Sequence, residues 1–275
     1  MHAYPTPVHE LAATAVVSIF SARPETGAVL LVNSCARGKA TPTSDLDMVV
    51  LVPSGENLAS LRTYWERVHP NHPAITAFQT SGPFATLHLD IEEASIPLPD
   101  HATDEYPDGL ELMIGNWLVW SRVLWERDGC HDRLRGAWLP YYDDTLRQQR
   151  LADIRLQCAS NLRLIPTYVD RELYFQAFSR LWESFRLFLQ ALFIQRRTYP
   201  IAYDKWIREQ VVDILGLPGL YEELPPLFEI DHFESDALKE KGARLLRLLD
   251  TYIPTGDDDL GSPPGSTGPS LRREG

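Results

Sequence analysis

The sequence predicts an α+β fold, with strands gathered in the first half of the chain and a helical bundle in the second. Three observations carry this expectation. Residues 29–32 and 47–52 are short, almost wholly apolar runs of the length of buried strands. Residues 86–93 alternate apolar Leu87, Leu89 and Ile91 with His88, Asp90 and Glu92, the period of a half-buried strand. After Asp128-Gly129 the apolar residues recur at intervals of three and four instead, the spacing of helices with one buried face. Strands followed by helices mark an α+β chain.

Taken in order, residues 7–20 read as an opening helix with Leu11, Ala15, Val16 and Ile19 on its apolar face. Strands over 29–32 and 47–52 follow, then a helix over 56–68 that ends at His69-Pro70-Asn71-His72-Pro73. The spacing of His69 and His72 could suit a metal, but two prolines make a turn the better reading. After the strand at 86–93, the proline-rich stretch 97–108 carries Asp100, Asp104, Glu105 and Asp108 and reads as a solvated connection. Were it to overhang an active site, it would attract a cationic acceptor. Residues 117–125 supply a last strand, with helix as the alternative before it.

Helices are expected over 141–165, 170–195, 204–215 and 235–252. In the second of these, Leu173, Ala177, Leu181, Phe185, Phe188 and Leu192 form one stripe, which reads as core. Arg196 and Arg197 near a helix end read equally as capping groups or as cations reaching over a cleft. From residue 254 glycine, serine, proline and aspartate dominate, the composition of a disordered tail; its Asp257-Asp258-Asp259 run is a weak rival metal site. The organisation expected is therefore a first domain over 1–135, a helical bundle over 136–253 and a tail over 254–275.

The most informative stretch is Asn33-Ser34-Cys35-Ala36-Arg37-Gly38 followed by Ser44-Asp45-Leu46-Asp47. Side chains two apart on a strand project from one face, about 7 Å apart, so Asp45 and Asp47 can converge on a hard cation. Leu46, Met48, Val50 and Val52 occupy the other face, so the strand is apolar except where it begins. Taken alone, the pair is explained as well by a turn with a surface carboxylate. Asp90 shifts the balance. If its strand pairs beside the first, three carboxylates lie close, and their mutual repulsion calls for a divalent cation. An amphipathic strand showing Asp90 to water is the competing reading of that segment on its own.

These residues resemble the minimal nucleotidyltransferases of the DNA polymerase β superfamily, whose pattern is Gly-Ser, an Arg-Gly pair and Ser-Asp-x-Asp, with a third carboxylate on a later strand. Aminoglycoside nucleotidyltransferases are among the relatives nearest in size. Asn33 stands where the first glycine is usual; asparagine tolerates positive φ better than most residues. The resemblance implies a mixed-sheet nucleotidyltransferase domain ahead of the helical bundle. It implies Asp45, Asp47 and Asp90 as catalytic residues holding Mg²⁺, two ions in such sites, and Ser34, Arg37 and Lys205 as nucleotide and phosphate ligands. ATP is the implied donor and AMP the group transferred, with pyrophosphate released. The acceptor implied is a hydroxyl of a small molecule, aminoglycoside-like antibiotics included. Alternatives are a protein-modifying nucleotidyltransferase, or a non-catalytic nucleotide-binding or antitoxin-type regulatory module.

Composition narrows the partners. Against 26 lysines and arginines stand 38 aspartates and glutamates, a formal net charge of −12. That balance disfavours a nucleic-acid template and suits a small or cationic acceptor. Cys35, Cys130 and Cys158 are widely spaced with no CxxC pair, so neither a disulfide framework nor a thiolate zinc site is expected, and a reducing cytoplasm is. The apolar segment 11–20 is far too short to span a bilayer, so no membrane association is expected. There is no GxxxxGK[ST] loop for a P-loop kinase and no Gly-x-Ser-x-Gly elbow for a hydrolase.

Overall fold

The computed structural model describes residues 4–94 and 107–254. The expected acidic connection through Asp100, Asp104 and Glu105 lies outside these residues, as does the tail from 255 onward.

Helix α1 (Pro7–Ser21) begins on a proline, whose missing N–H costs nothing in a first turn. Its Ala12, Val16 and Phe20 are fully buried. After β1 (Ala28–Leu31) comes a single helical turn, α2 (Asn33–Ala36), then β2 (Leu46–Val52) and α3 (Leu58–Val68). The histidine-proline segment expected to be only a turn also starts a helix, α4 (Pro73–Gln79). Pro73 takes the first helical position there, so the residue that cannot continue one helix opens the next. Strand β3 (Leu87–Glu93) closes this part of the chain.

Helix α5 (Pro107–Ile114) then runs into a π-helical turn, Gly115–Val119, and β4 (Arg122–Glu126). The last strand is thus shorter than the expected 117–125. Gly115 lies so close to residue 200 that a Cβ built on it would stand 2.0 Å from the Pro200 carbonyl oxygen. The sheet is mixed, in the order β3-β2-β1-β4. β1 runs antiparallel to both β2 and β4, while β2 and β3 are parallel.

The remaining chain is helical: α6 (Cys130–Trp138), α7 (Asp144–Val169), α8 (Tyr174–Gln195), a π-helical turn Glu209–Ile214, α9 (Pro218–Glu223) and α10 (Ala237–Tyr252). Asp143 caps α7, its Oδ1 accepting from the Leu146 N–H at 2.8 Å. Ala177, Leu181, Phe185, Phe188 and Leu192 of the predicted stripe are buried; Leu173 instead precedes α8 and is exposed. Where a helix was expected over 204–215, the chain forms the π-helical turn.

The two faces of the sheet feed two apolar layers. Val29, Leu31, Met48, Val50 and Val52 pack with α1, α3 and α4. Ala28, Leu30, Val49 and Leu51 join the larger cluster that continues into the helical half. Both faces being covered explains why β1 and β2 read as continuous apolar runs. One charged group enters the helical interior. Glu111 of α5 is fully buried and accepts hydrogen bonds from Arg150 Nη2 at 2.5 Å, Gln190 Nε2 at 2.9 Å and the Tyr203 hydroxyl at 2.7 Å. It ties α5, α7 and α8 to the segment that carries Lys205. No helix of the described residues is long and apolar enough to cross a membrane.

Candidate active site

The entry into β2 is held from two sides. His9 of α1, 1% exposed, bonds through Nε2 to the Ser44 carbonyl oxygen at 3.0 Å and through Nδ1 to the Thr6 hydroxyl at 2.7 Å. The Ser44 hydroxyl accepts from the Thr41 N–H at 2.9 Å. Beyond the turn, the Val32 N–H donates to the Asp47 carbonyl oxygen at 3.1 Å, which joins the end of β1 to the start of β2. Asp45 and Asp47 are thereby fixed next to α2.

The parallel register of β2 and β3 decides what stands beside them. Asp47 pairs with His88 and Val49 pairs with Asp90. His88 and Asp90 therefore share a face with Asp47, but Asp90 sits two pairs further along the strand. Asp45, Asp47 and His88 each offer a ligand atom within 4.8 Å of the others, and among the described residues this is the group that could hold a metal ion. His88 Nε2 lies 3.8 Å from Asp45 Oδ2. Asp90 is exposed and is not part of that group.

Burial, reinforced by the Asp45 charge, holds the Asp47 carboxyl above the usual aspartate range. A hydrogen bond from the Asn33 side chain and the charges of His88 and Lys205 pull it back down. The same surroundings silence Cys35, whose thiol is pushed up to about 12 by burial and by the neighbouring Asp47 and Asp45 charges. A thiol so rarely ionised is no nucleophile; Cys35, 1% exposed, fills space.

The loop before β2 begins with Asn33 at φ 54°, a left-handed conformation that asparagine accepts more readily than other non-glycine residues. Its side chain reaches Asp47. Ser34 follows in α2, half-buried, its carbonyl oxygen accepting from the Lys39 N–H at 2.9 Å. Gly38 closes the turn at φ 69°. Arg37 leaves this loop toward the helical half. Its Nε donates to Glu209 Oε1 at 3.2 Å, and its guanidinium lies 5.3 Å from the Trp206 ring centroid. Its Nη1 and Nη2 are buried with no protein partner. A cleft of about 420 Å³ opens here, lined among others by Arg37, Lys39, Trp120, Ser121, Glu209 and Asp213.

Residues 15–93 match the sequence profile of the nucleotidyltransferase domain family. The likeness to that family is confined to these residues. No curated protein matched the chain. Among solved structures, a nucleotidyltransferase-like protein from Exiguobacterium sibiricum 255-15 is similar at 12% identity with a TM-score of 0.44, over 89% of this chain and 78% of that one.

The residues that match the profile run from within α1 to the end of β3, and so take in Ser34, Arg37, Asp45, Asp47, His88 and Asp90. Lys205 comes from the helical half, close enough to Asp47 to act on its charge. Divalent metal and a nucleoside triphosphate are what nucleotidyltransferase domains use, and the donor set here suits a cation. It has two carboxylates whose repulsion a double positive charge would relieve, with an imidazole beside them.

Four residues at or near this site escaped the sequence reading in their present roles. His88 was visible only as a surface residue of an amphipathic strand, because the register that sets it opposite Asp47 is not written in either strand alone. His9, Trp206 and Glu209 act across long sequence separations, and only the fold brings them in. Trp206 is at φ 59°, a conformation unusual for a bulky residue.

Proposed function

We propose that the protein transfers a nucleoside monophosphate, AMP from ATP, to a hydroxyl of a small-molecule acceptor. The observation that carries the reading is the convergence of Asp45 and Asp47 at the start of β2, inside the residues that match the nucleotidyltransferase profile. In this reading Asp45 and Asp47 would hold Mg²⁺, two ions being the usual complement, with Asp90 contributing from two pairs further along β3. When bound, the metal supplies charge neutralisation and polarises the α-phosphate.

The chain's own groups do the rest. Ser34 and the amides of its loop cradle the β- and γ-phosphates. Arg37, pinned through Nε by Glu209 and with two buried N–H₂ groups unpartnered, adds donors beside them. Lys205 brings a further positive charge toward the leaving pyrophosphate. Asp90, exposed on the same face, takes the proton of the acceptor hydroxyl or orients it. The new bond joins acceptor oxygen to the α-phosphorus as the bond from that phosphorus to the bridging oxygen breaks, and pyrophosphate leaves in line.

The acceptor class follows from charge: with a net −12, cationic small molecules such as aminoglycosides are attracted and nucleic acids repelled. In this proposal 1–135 is the catalytic domain and 136–253 the bundle that completes the cleft. A cytoplasmic setting goes with MgATP as donor; the three cysteines are buried and unpaired.

The test incubates the full chain with α-labelled nucleotides, Mg²⁺ and a panel of hydroxylated amines and proteins, following pyrophosphate release and label transfer. Labelled small-molecule product that disappears in Asp45→Asn and Asp47→Asn is the expected result. Label on protein would replace the acceptor assigned here. Nucleotide binding without turnover over the whole panel would overturn the catalytic reading.

A further inference from the structure

We propose that His88, with Asp45 and Asp47, ligates the divalent cation, and that the site consequently favours Mn²⁺ over Mg²⁺. The proposal rests on the nucleotidyltransferase reading but gives His88 the third-ligand place assigned there to Asp90, and names the metal that this choice selects.

The argument is geometric. β2 and β3 are parallel and in a register that sets His88 directly across from Asp47. On a sheet, directly opposed residues are the nearest side-chain neighbours across strands, and a residue two further along lies about 7 Å away along the strand. Asp90 is that further residue, facing Val49. The third place beside the two aspartates is thus taken by an imidazole.

The distances agree. Ligand atoms of the three residues lie within 4.8 Å of one another, and His88 Nε2 is 3.8 Å from Asp45 Oδ2. Donors on one six-coordinate ion at bonds of about 2.1 Å stand roughly 3 to 4.2 Å apart, so a small rotamer adjustment closes the set. The imidazole is more than half exposed, at 57%, and free to make that adjustment. It also leaves the ion reachable from solvent.

Two carboxylates and one imidazole are not a magnesium-like donor set. Mg²⁺ demands oxygen ligands and near-ideal octahedral geometry, whereas Mn²⁺ shares its taste for carboxylate and, being softer and less strict, accepts nitrogen. Asp90 is left over by this assignment and stays available to the acceptor.

The test uses the full chain without nucleotide and Mn²⁺ alone, read by pulsed electron paramagnetic resonance. Nitrogen modulation from a directly bonded imidazole is expected in the unsubstituted protein and in Asp90→Asn, and its loss in His88→Gln. The His88→Gln change should weaken Mn²⁺ roughly tenfold or more, since even the loss of an outer-shell partner costs that much. Mg²⁺, measured by competition, should weaken far less. Melting curves check that the exposed substitution leaves the fold intact. Bound Mn²⁺ with oxygen ligands alone, or a nitrogen signal that survives His88→Gln, overturns this proposal and leaves the transferase reading standing. No Mn²⁺ or Mg²⁺ binding at all, with no labelled product from ATP, overturns both.

Discussion

Glu111 is the residue whose removal should cost the fold most for the fewest atoms. It is fully buried, and its closest partner is Arg150, 2.5 Å away and itself only 13% exposed. Truncation by Glu111→Ala would leave a guanidinium without its counter-charge in a nearly dry site. Breaking a buried pair from one side in this way costs about 3–5 kcal/mol. For a chain of this size each kcal/mol moves the melting temperature by roughly 2–4 °C, so a fall on the order of 10 °C is expected. The control is Glu111→Met with Arg150→Met, which removes both charges and keeps the volume. Because the pair's attraction is largely offset by its desolvation, the double variant should be clearly more stable than the single one. Thermal and urea melts followed by circular dichroism and tryptophan fluorescence measure both. A single variant within about 1 kcal/mol of the parent, or a double variant no better than the single, would refute the reasoning, because an uncompensated charge could not then be the source of the loss.

Three further outcomes rest on the same structure. Asp47 has a carboxyl held above its ordinary range by burial and by Asp45, so the folded chain keeps a proton there that the unfolded chain has lost; its stabilising effect is complete at low pH and lost as pH rises through the folded value. Asp47→Asn should therefore melt higher than the parent at neutral pH in chelator and show less pH dependence between acid and neutral, while binding metal worse; a lower melting temperature at neutral pH would contradict this. Gly115→Ala would place a methyl 2.0 Å from the Pro200 carbonyl oxygen, a backbone clash that should cost about 1–3 kcal/mol or more, seen as a lower urea midpoint; an unchanged midpoint would mean that segment 199–203 is free to move away. At Asn33, φ 54°, Ala should be less stable than Gly by roughly 1 kcal/mol, yet both should raise the Asp47 pKa by removing the side-chain hydrogen bond, which a proton-coupled metal titration would detect.

The strands were legible because both faces of the sheet are covered: Val29–Val32 and Met48–Val52 had no polar residue to interrupt the apolar run, and Asp45 and Asp47 offer ligand atoms within 4.8 Å of each other. What one strand could not reveal was its register with another. His88 and Asp90 lie on the same polar face, and the sequence offered no means of choosing which of them stands opposite Asp47; backbone pairing across some forty residues made that choice. Helix limits failed where single residues reset the backbone. Pro73 began a helix in a segment read as a turn, and the 204–215 stretch, apolar at the right intervals, wound into a π-helical turn where Leu215 and Leu217 donate to the Gln210 and Val211 carbonyls. Gln210 is buried and bonds the backbone of residues 201, 202 and 205, a constraint no periodicity signals.

That last network ties the helical half to the site proposed above. Gln210 holds the Lys205 carbonyl, Glu111 holds the Tyr203 hydroxyl, and Glu209, next to Gln210, holds Arg37. Lys205 sits between these anchors, and its charge reaches Asp47. A lysine at the end of a free loop would lose much of its rotamer and backbone freedom on meeting a triphosphate. Here the backbone on either side of it is already fixed by buried hydrogen bonds, so the ordering cost is met when the protein folds. The two π-helical turns, Gly115–Val119 and Glu209–Ile214, both line the cleft beside Arg37, and wide turns of this kind re-aim side chains where a regular helix would not. In the proposed function, the loop of Ser34 and Arg37 and the Lys205 segment are therefore set against each other by folding, and the geometry that would receive a nucleotide depends as much on Glu111 and Gln210 as on the residues that would touch it.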